Sequence, residues 1–280
     1  MATIRAERFP RSLDLPLQSP LFWVEQKDRY LRQLLIRDIE ESTGRRFVVY
    51  FANRFEQAEI DARDPLYMTE LLGDIAITEP VDVLIETPGG QTDATEALIS
   101  AIQNRISDFR AVVGKAAKSN GTLLCLAARS IVMGTPSELG PIEPMVGGIP
   151  CSILTEQKIA EQNFALHMSG QFALQQSRAM AKRLLSAGMM NGRSIGEIDD
   201  VVQKLSSRDV YFSHGTAIDH AEALALGLKV EYLPPGDDLW ERIWLLHCMY
   251  DHDCRKSHLL KIFEGQSRST AVAISPRPGS

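Results

Sequence analysis

The stretch that most constrains the fold spans residues 80–144, where strand-like and helix-like patterns alternate. Residues 81–85 and 110–113 are short runs that contain several β-branched side chains, so each predicts a buried strand. Between them, over 94–109, apolar residues recur at three- and four-residue steps, as on one face of a helix. This order predicts a mainly parallel sheet with flanking helices, which is an α/β fold.

The turns that end these two strands carry residues suited to chemistry. The first contains Gly89 and Gly90, which allow positive φ and a close approach of backbone N–H groups to a bound oxygen. The second carries Ser119 and Gly121 before a helix of small residues at 123–128. A serine on such a junction, beside helix N-terminal N–H groups, has the placement that a nucleophile needs. A serine that only caps the helix is the alternative.

Composition and charge argue against several classes of function. The formal net charge is −6 over 280 residues and no basic stripe is present, so a nucleic-acid partner is not expected. The longest apolar runs fall far short of the ~18 residues of a membrane span, and charges interrupt any signal-peptide core near the start. The four cysteines lack CxxC spacing. We therefore expect a cytoplasmic protein with reduced thiols, no bound metal and no cofactor.

Proline, glycine and charge divide the chain into four predicted parts. We expect an extended arm at 1–20, one α/β domain at 21–233, a helical extension at 234–264 and a disordered tail at 265–280. Within the domain, the polar segment at 53–64 is expected to border a substrate channel. Further elements expected in the domain are a helix at 22–41, strands at 47–51, 131–133, 210–212 and 229–232, and a region that is helical for nearly its whole length at 152–189.

Four motifs, in this order, resemble the serine dehydrogenase proteinase family of the ClpP/crotonase superfamily, whose relatives are ClpP and signal peptide peptidase A. The motifs are TPGG at 87–90, AKSNGT at 117–122, MG and LGPIEP within 133–144, and RDVYFSH at 208–214. The resemblance extends over about residues 22–233. It implies a ClpP/crotonase-like core of repeated ββα and βα units with flanking helices.

The resemblance also implies a serine endopeptidase that cleaves peptides or unfolded protein segments through an acyl-enzyme on Ser119. The N–H groups of Gly90 and Asn120 would form the oxyanion hole that stabilises the tetrahedral intermediate. Gly89 and Gly121 would support the two turns. Because members of the superfamily assemble through the long helix after the core, the resemblance further implies a homo-oligomer.

His214 is the implied general base, and Asp209 is the acid that would orient its imidazole. The chain has no histidine soon after the predicted strand at 131–133, where ClpP carries its own, so the order here is Ser, Asp, His. Glu143 and Asp219 are alternative acids, because an Arg-Asp pair such as the one at Asp209 is often a solvated salt bridge. A helix-capping or surface role is the alternative for His214.

Lys118 departs from the family pattern, which usually has methionine before the serine. It could tune Ser119, form a Ser/Lys dyad with it or point to solvent. Two other functions stay open: a crotonase-type acyl-CoA hydratase or hydrolase, and a catalytically inactive oligomeric scaffold. A zinc site is a further alternative, although its spacing fits no standard finger; its residues would be His247, Cys248, His252, Cys254 and His258.

Overall fold

The computed structural model describes residues 19–56 and 58–274. The predicted arm at 1–20 lies outside the described residues except for its last two positions, and a helix already begins at Pro20. Positions 275–280 of the predicted tail also lie outside them.

The helices within these ranges are α1 (Pro20–Glu25), α2 (Lys27–Thr43), α3 (Asp64–Leu71), α4 (Thr92–Gln103), α5 (Asn120–Leu126), α6 (Cys151–Leu154), α7 (Gln157–Gln162), α8 (Phe164–Ala187), α9 (Ile195–Leu205), α10 (His220–Ala225) and α11 (Asp238–Lys256), with a 3₁₀ turn at Leu72–Asp74 after α3. The strands are β1 (Arg46–Ala52), β2 (Val81–Thr87), β3 (Phe109–Ala117), β4 (Ile131–Gly134), β5 (Glu138–Leu139), β6 (Met145–Val146), β7 (Ile149–Pro150), β8 (Val230–Leu233), β9 (Leu259–Glu264) and β10 (Ser269–Ala273).

One mixed sheet organises these elements, with the strand order β10-β9-β1-β2-β3-β4-β8. The strands from β1 to β8 in this order run parallel, β9 and β10 are antiparallel at one edge, and β5 pairs with the end of β3. All residues of β2 are buried, as expected for a parallel strand that is covered on both faces. The predicted α/β fold with a mainly parallel sheet is confirmed.

Helices cover both faces of the sheet, and β1 shows how its side chains are divided between them. Val48 and Tyr50 contribute to a core that also contains residues of α4, α5, α8 and α9, whereas Phe47 and Val49 contribute to a second core with α2 and α11. The alternation follows from the pleat, because successive side chains of a strand point to opposite faces. Since β2 and β3 are parallel neighbours, the turns that follow them lie at the same edge of the sheet.

Two predicted elements inside the domain differ from the structure. The helical region at 152–189 is divided into α6, α7 and α8. At the second break, Asn163 follows α7 and caps α8 by accepting the N–H of Leu166 at 3.0 Å. The predicted strand at 210–212 is wrong, since these residues lie in a turn and a bend. There the N–H of Tyr211 donates to the carbonyl of Ser207 at 3.0 Å, which is a local contact and not a strand pairing.

The C-terminal part differs from its prediction as well. The segment predicted as a helical extension contains α11 but also β9, which pairs with β1, and the prediction of a disordered tail is wrong for β10, which pairs with β9. The strand β9 was not predicted because charged residues interrupt its apolar pattern. Lys261 is 1% exposed and Glu264 is fully buried, yet both are paired with opposite charges inside the protein. The edge strands therefore belong to the same sheet as the predicted domain.

Candidate active site

A cleft after the carboxyl ends of β2 and β3 brings together five of the seven predicted site residues. Its volume is about 430 Å³ and its lining includes Ser119, His214, Gly89, Gly90 and Asn120. Gly121 and Asp209 are not part of that lining. The remaining wall comes from the polar segment after β1, from the β2–α4 connection with the start of α4, and from the β6–β7 hairpin with the residue before it. It consists of Glu56, Glu59, Pro88, Thr92, Pro144, Met145 and Gly148.

Ser119 occupies a sharp junction between β3 and α5. Its backbone has φ 52° and ψ −117°, a left-handed conformation that costs a non-glycine residue about 1–3 kcal/mol. Although Ser119 stands at the N-cap position of α5, its side chain makes no capping hydrogen bond. The structure therefore does not support the helix-capping alternative, and it holds this serine in the kind of strained strand-to-helix turn that presents a nucleophilic hydroxyl.

The two predicted turns pack directly against each other, which explains why they contain glycine. A Cβ added to Gly89 would lie 2.8 Å from Cβ of Ser119, and Gly89 has φ +106°. A Cβ added to Gly121 would lie 2.5 Å from Cγ2 of Thr87. A larger residue at either position would displace one of the two turns, so both glycines allow the Ser119 turn to pack closely against the turn after β2.

The N–H groups of Gly90 and Asn120 are available for an oxyanion. The Gly89 carbonyl accepts the N–H of Ile60 at 2.7 Å, and because the peptide is trans, the N–H of Gly90 points the opposite way. Asn120 is the first residue of α5, so its N–H has no partner within the helix. Neither N–H meets an acceptor in the described part of the chain. The side-chain amide of Asn120 donates to the Gly90 carbonyl, a contact that the sequence did not reveal.

His214 lies in the irregular segment between α9 and α10 and lines the same cleft as Ser119. Its ring is half-buried, and within the described residues Nδ1 is buried without a hydrogen-bond partner. Burial lowers the pKa of His214; the charge and main-chain carbonyl of Glu143 oppose this shift, whereas Lys118 and Arg208 add to it. A histidine with a lowered pKa is neutral at physiological pH, which is the state that a general base requires.

The three acids considered from the sequence lie in different environments. Asp209 is exposed, and its main-chain N–H donates to Oγ of Ser207. Asp219 caps α10 by accepting the N–H of Glu222 at 2.9 Å. Glu143 is 3% exposed and is the acid whose charge acts on His214. Of the three acids, Glu143 is therefore the one whose charge affects the pKa of His214.

Lys118 neither points to solvent nor turns toward the adjacent serine. Its Nζ donates to the carbonyls of Leu139 at 3.0 Å and Thr216 at 3.1 Å, and lies 3.4 Å from Oε2 of Glu138. Burial lowers the pKa of Lys118, and the charge of Glu138 opposes that shift. Because the ammonium of Lys118 donates hydrogen bonds to these acceptors, the structure gives no support to a Ser/Lys dyad.

The alternative zinc site finds no support in the described residues. Across residues 19–56 and 58–274, no group of three or more metal-binding side chains is arranged to hold a metal ion. His247 instead stacks on Trp244, with ring centroids 5.1 Å apart, and packs against Phe51. All four cysteines are free thiols, and Cys248 is the exposed one. In the same part of the chain, no helix is both long enough and apolar enough to cross a membrane.

Comparison with known proteins gives relatives over most of the chain. An uncharacterized protein of Methanocaldococcus jannaschii is 25% identical over 211 residues, which is 70% of each chain. A second uncharacterized protein of the same organism is 36% identical over 87 residues, or 30% of each chain. Among solved structures, a ClpP1 mutant from Listeria monocytogenes matches with a TM-score of 0.46 and 16% identity, over 73% of this chain and 99% of that one.

The comparison with family models identifies the family of the chain. A family model described as ClpP-like SDH-type serine proteinase matches residues 69–261, which is more than half of the chain. The match contains both turns of the cleft, the Glu143 region and the His214 segment. It also extends beyond the region of resemblance noted in the sequence and includes α11 and the first part of β9. The chain belongs to the family of ClpP-like SDH-type serine proteinases.

Proposed function

We propose that this protein is a serine endopeptidase that cleaves peptides or unfolded protein segments through an acyl-enzyme on Ser119. One observation carries the proposal. The strained Ser119 turn, the half-buried His214 and the free N–H groups of Gly90 and Asn120 all border one cleft. This set contains a nucleophile, a base and an oxyanion hole, which are the groups that acyl transfer needs.

Each residue has a defined task in this mechanism. His214 takes the proton of the Ser119 hydroxyl as its Oγ attacks the scissile carbonyl carbon. The carbonyl oxygen becomes negative in the tetrahedral intermediate, and the N–H groups of Gly90 and Asn120 stabilise it by about 3 kcal/mol for each donor. The protonated His214 then gives its proton to the leaving amine. A water molecule, deprotonated by His214, hydrolyses the acyl-enzyme and restores Ser119.

Glu143 takes the place of the acid in this proposal. Its carboxylate is buried, and Oε1 accepts the N–H of Ser152 at 2.8 Å, which holds the side chain in place. Its negative charge favours the protonated form of His214, so it stabilises the imidazolium that forms during attack. Asp209, the acid expected from the resemblance, is exposed and does not have this effect in the structure.

We expect Glu143→Gln to lower the rate of acyl-enzyme formation by roughly 10²–10⁴-fold, because the imidazolium loses its counter-charge. The same change removes the charge that raises the pKa of His214 and leaves the lowering effects of burial, Lys118 and Arg208. A general base works only when it is unprotonated, so activity falls as pH drops through the pKa of His214. The acidic limb of the pH–rate profile should therefore move to lower pH in this variant.

Asp209→Asn is the matched comparison, because it removes one carboxylate charge from an exposed position. It should retain a rate and an acidic limb close to those of the unmodified protein. If Asp209→Asn loses activity while Glu143→Gln does not, the acid is Asp209, as the resemblance implies.

Labelling with a fluorophosphonate tests the nucleophile directly. The unmodified protein should form an adduct that mass spectrometry maps to Ser119, whereas Ser119→Ala should form none and His214→Ala should react much more slowly. Equal labelling of the unmodified protein and Ser119→Ala would exclude this nucleophile. Hydrolysis of acyl-CoA thioesters that persists in Ser119→Ala would favour the crotonase-type alternative. No adduct and no hydrolysis in any form of the protein would favour an inactive scaffold.

The proposal includes assembly into a homo-oligomer. The long helix α8 exposes two large apolar side chains, Phe164 at 68% and Phe172 at 61%. Contact with a second copy would remove this apolar surface from water. Light scattering over a range of concentrations should give a mass above that of one chain, and a monomer mass at every concentration would contradict assembly.

A further inference from the structure

We infer that Lys118 is a positioning residue, which ties the segment carrying His214 to the turn carrying Ser119. The inference rests on the proposed function and adds a role for Lys118, a residue that takes no part in the proposed chemical steps. Its basis is the hydrogen bond from Nζ of Lys118 to the carbonyl of Thr216, which lies two residues after His214.

The backbone of Lys118 is fixed relative to the nucleophile. Its N–H donates to the carbonyl of Thr87 at 3.0 Å, and its own carbonyl accepts the N–H of Gly121 at 2.7 Å. These two bonds join the end of β2, the end of β3 and the start of α5. Lys118 therefore cannot move independently of Ser119, the next residue in the chain.

The segment around His214 has few other attachments to the core. Its far end is anchored where Leu139 and Ile218 exchange main-chain hydrogen bonds of 2.9 and 3.1 Å. Between 212 and 216, the other main-chain hydrogen bonds found within the described residues are local: Thr216 donates to Ser213, Gly215 donates to Oγ of Ser213, and the side chain of Arg208 donates to the carbonyl of Phe212. In this part of the structure, the ammonium of Lys118 thus joins the main chain of 212–216 to the Ser119 turn.

The acceptors around Nζ suit an ammonium in particular. Two carbonyls, of Leu139 and Thr216, and the carboxylate of Glu138 surround it, and the side chain is only 16% exposed. Lysine offers three donors from one compact charged atom, and hydrogen bonds from a charged donor are stronger than neutral ones. A methionine at this position would fill similar space but would donate to none of the three acceptors.

Lys118 also contributes charge near the imidazole. The groups that act on His214 are Glu143, which raises its pKa, and Lys118 and Arg208, which lower it. Glu138 is paired with Lys118, and Glu56 and Glu59 lie across the cleft. Removing the ammonium should therefore raise the pKa of His214, provided that the ring stays near its present position.

The test measures fluorophosphonate labelling of Lys118→Met. It determines kinact, the maximal rate constant of labelling, separately from KI, the reagent concentration that gives half of this rate constant. A base displaced by about 1 Å can cost up to 10²-fold in rate, so we expect kinact to fall by about 10–10² with KI little changed. The acidic limb of the pH profile should move to higher pH. Lys118→Arg keeps the charge in a different shape, so its kinact should be reduced while its acidic limb stays near that of the unmodified protein.

Lys115→Met is the matched control. Lys115 lies in β3, three residues before Lys118, and its Nζ is 3.4 Å from Oε1 of the same carboxylate, Glu138, but it makes no bond to the 212–216 segment. This variant should label like the unmodified protein. Thermal unfolding of all variants shows whether any loss of kinact arises from misfolding. A folded Lys118→Met protein with normal kinact and an unchanged acidic limb of the pH profile would overturn the inference. An equal loss of kinact in Lys115→Met would also overturn it.

Failure of this inference is distinguishable from failure of the proposed function. If Ser119→Ala labels like the unmodified protein, the nucleophile is wrong and the positioning role fails with it. If Ser119→Ala loses labelling while Lys118→Met keeps the normal rate and pH profile, the protease assignment stands and the positioning role alone is rejected.

Discussion

Ser119→Ala should abolish turnover and leave stability unchanged, whereas Ser194→Ala should leave turnover unchanged and lower stability. Both serines stand at helix N-cap positions, before α5 and α9. Ser194 forms a capping box with Glu197, but the Ser119 side chain makes no capping bond. Loss of a serine nucleophile lowers kcat on the order of 10⁵–10⁶-fold in a serine protease, and loss of a capping serine costs about 1 kcal/mol of folding free energy.

Casein hydrolysis and urea unfolding measure the two effects on the same samples. Ser119→Ala should give background hydrolysis with an unfolding midpoint equal to that of the unmodified protein. Ser194→Ala should hydrolyse casein normally and unfold at lower urea. A Ser119→Ala protein that hydrolyses casein at the normal rate, or that loses as much stability as Ser194→Ala, would identify Ser119 as a structural residue.

Lys261→Met should destabilise the fold by about 3–5 kcal/mol, the usual cost of leaving one partner of a buried ion pair alone. Nζ of Lys261 contacts both carboxylate oxygens of Asp64, at 2.7 and 2.9 Å, and Oδ2 of Asp61 at 2.8 Å. The hydroxyl of Tyr50 donates to Asp64 at 2.7 Å. Lys261 and Asp64 are each 1% exposed at the side chain, so water cannot replace the lost ammonium.

The dependence on pH follows from Asp64. Burial raises the pKa of this carboxyl, against the opposing effects of Lys261 and Tyr50. Without Lys261 the pKa rises further, so the folded state binds a proton more readily than the unfolded state. The difference in free energy of unfolding between Lys261→Met and the unmodified protein should therefore be largest at neutral pH and should decrease as pH is lowered.

Lys256→Met is the control for this prediction. Lys256 forms an ion pair of 2.8 Å with Asp28, but their side chains are 50% and 40% exposed. Its removal should cost at most about 1 kcal/mol. Denaturant unfolding of both variants measures the difference, and Lys261→Met/Asp64→Asn should recover part of the loss. Equal small effects of the two lysine substitutions would show that β9 is not held as the structure describes.

Local patterns predicted the centre of the fold. Strands β1 to β4 and helix α4 are recognisable because their apolar residues repeat at strand or helix periods within a few residues. The edge strand β9 was missed because Lys261 and Glu264 interrupt its apolar pattern. Both residues are buried only because partners from α2 and from the start of α3 neutralise them, and a one-dimensional pattern contains no information about those partners.

The same distinction holds for the candidate site. Ser119 and the glycines of the two turns were predicted because each belongs to a strand-to-helix junction that neighbouring residues define. The environment of His214 was not predicted, because it depends on the charge of Glu143 and on the hydrogen bond from Lys118 to Thr216, and both groups are distant from His214 in the sequence. Nor did the sequence show how the side chain of Asn120 holds the Gly90 carbonyl across 30 positions.

The sequence by itself therefore determined the α/β core, the Ser119 turn and the glycine turn beside it, because local periodicity and backbone conformational preference produce these features. The tertiary structure alone decided which groups surround His214 beside that turn. Residues 206–219 have no regular secondary structure apart from the isolated pairing at Ile218. Hydrogen bonds from Lys118, just after β3, and from Leu139 of β5 hold this segment, and the charge of Glu143 affects the pKa of His214. These groups become neighbours only when the chain folds.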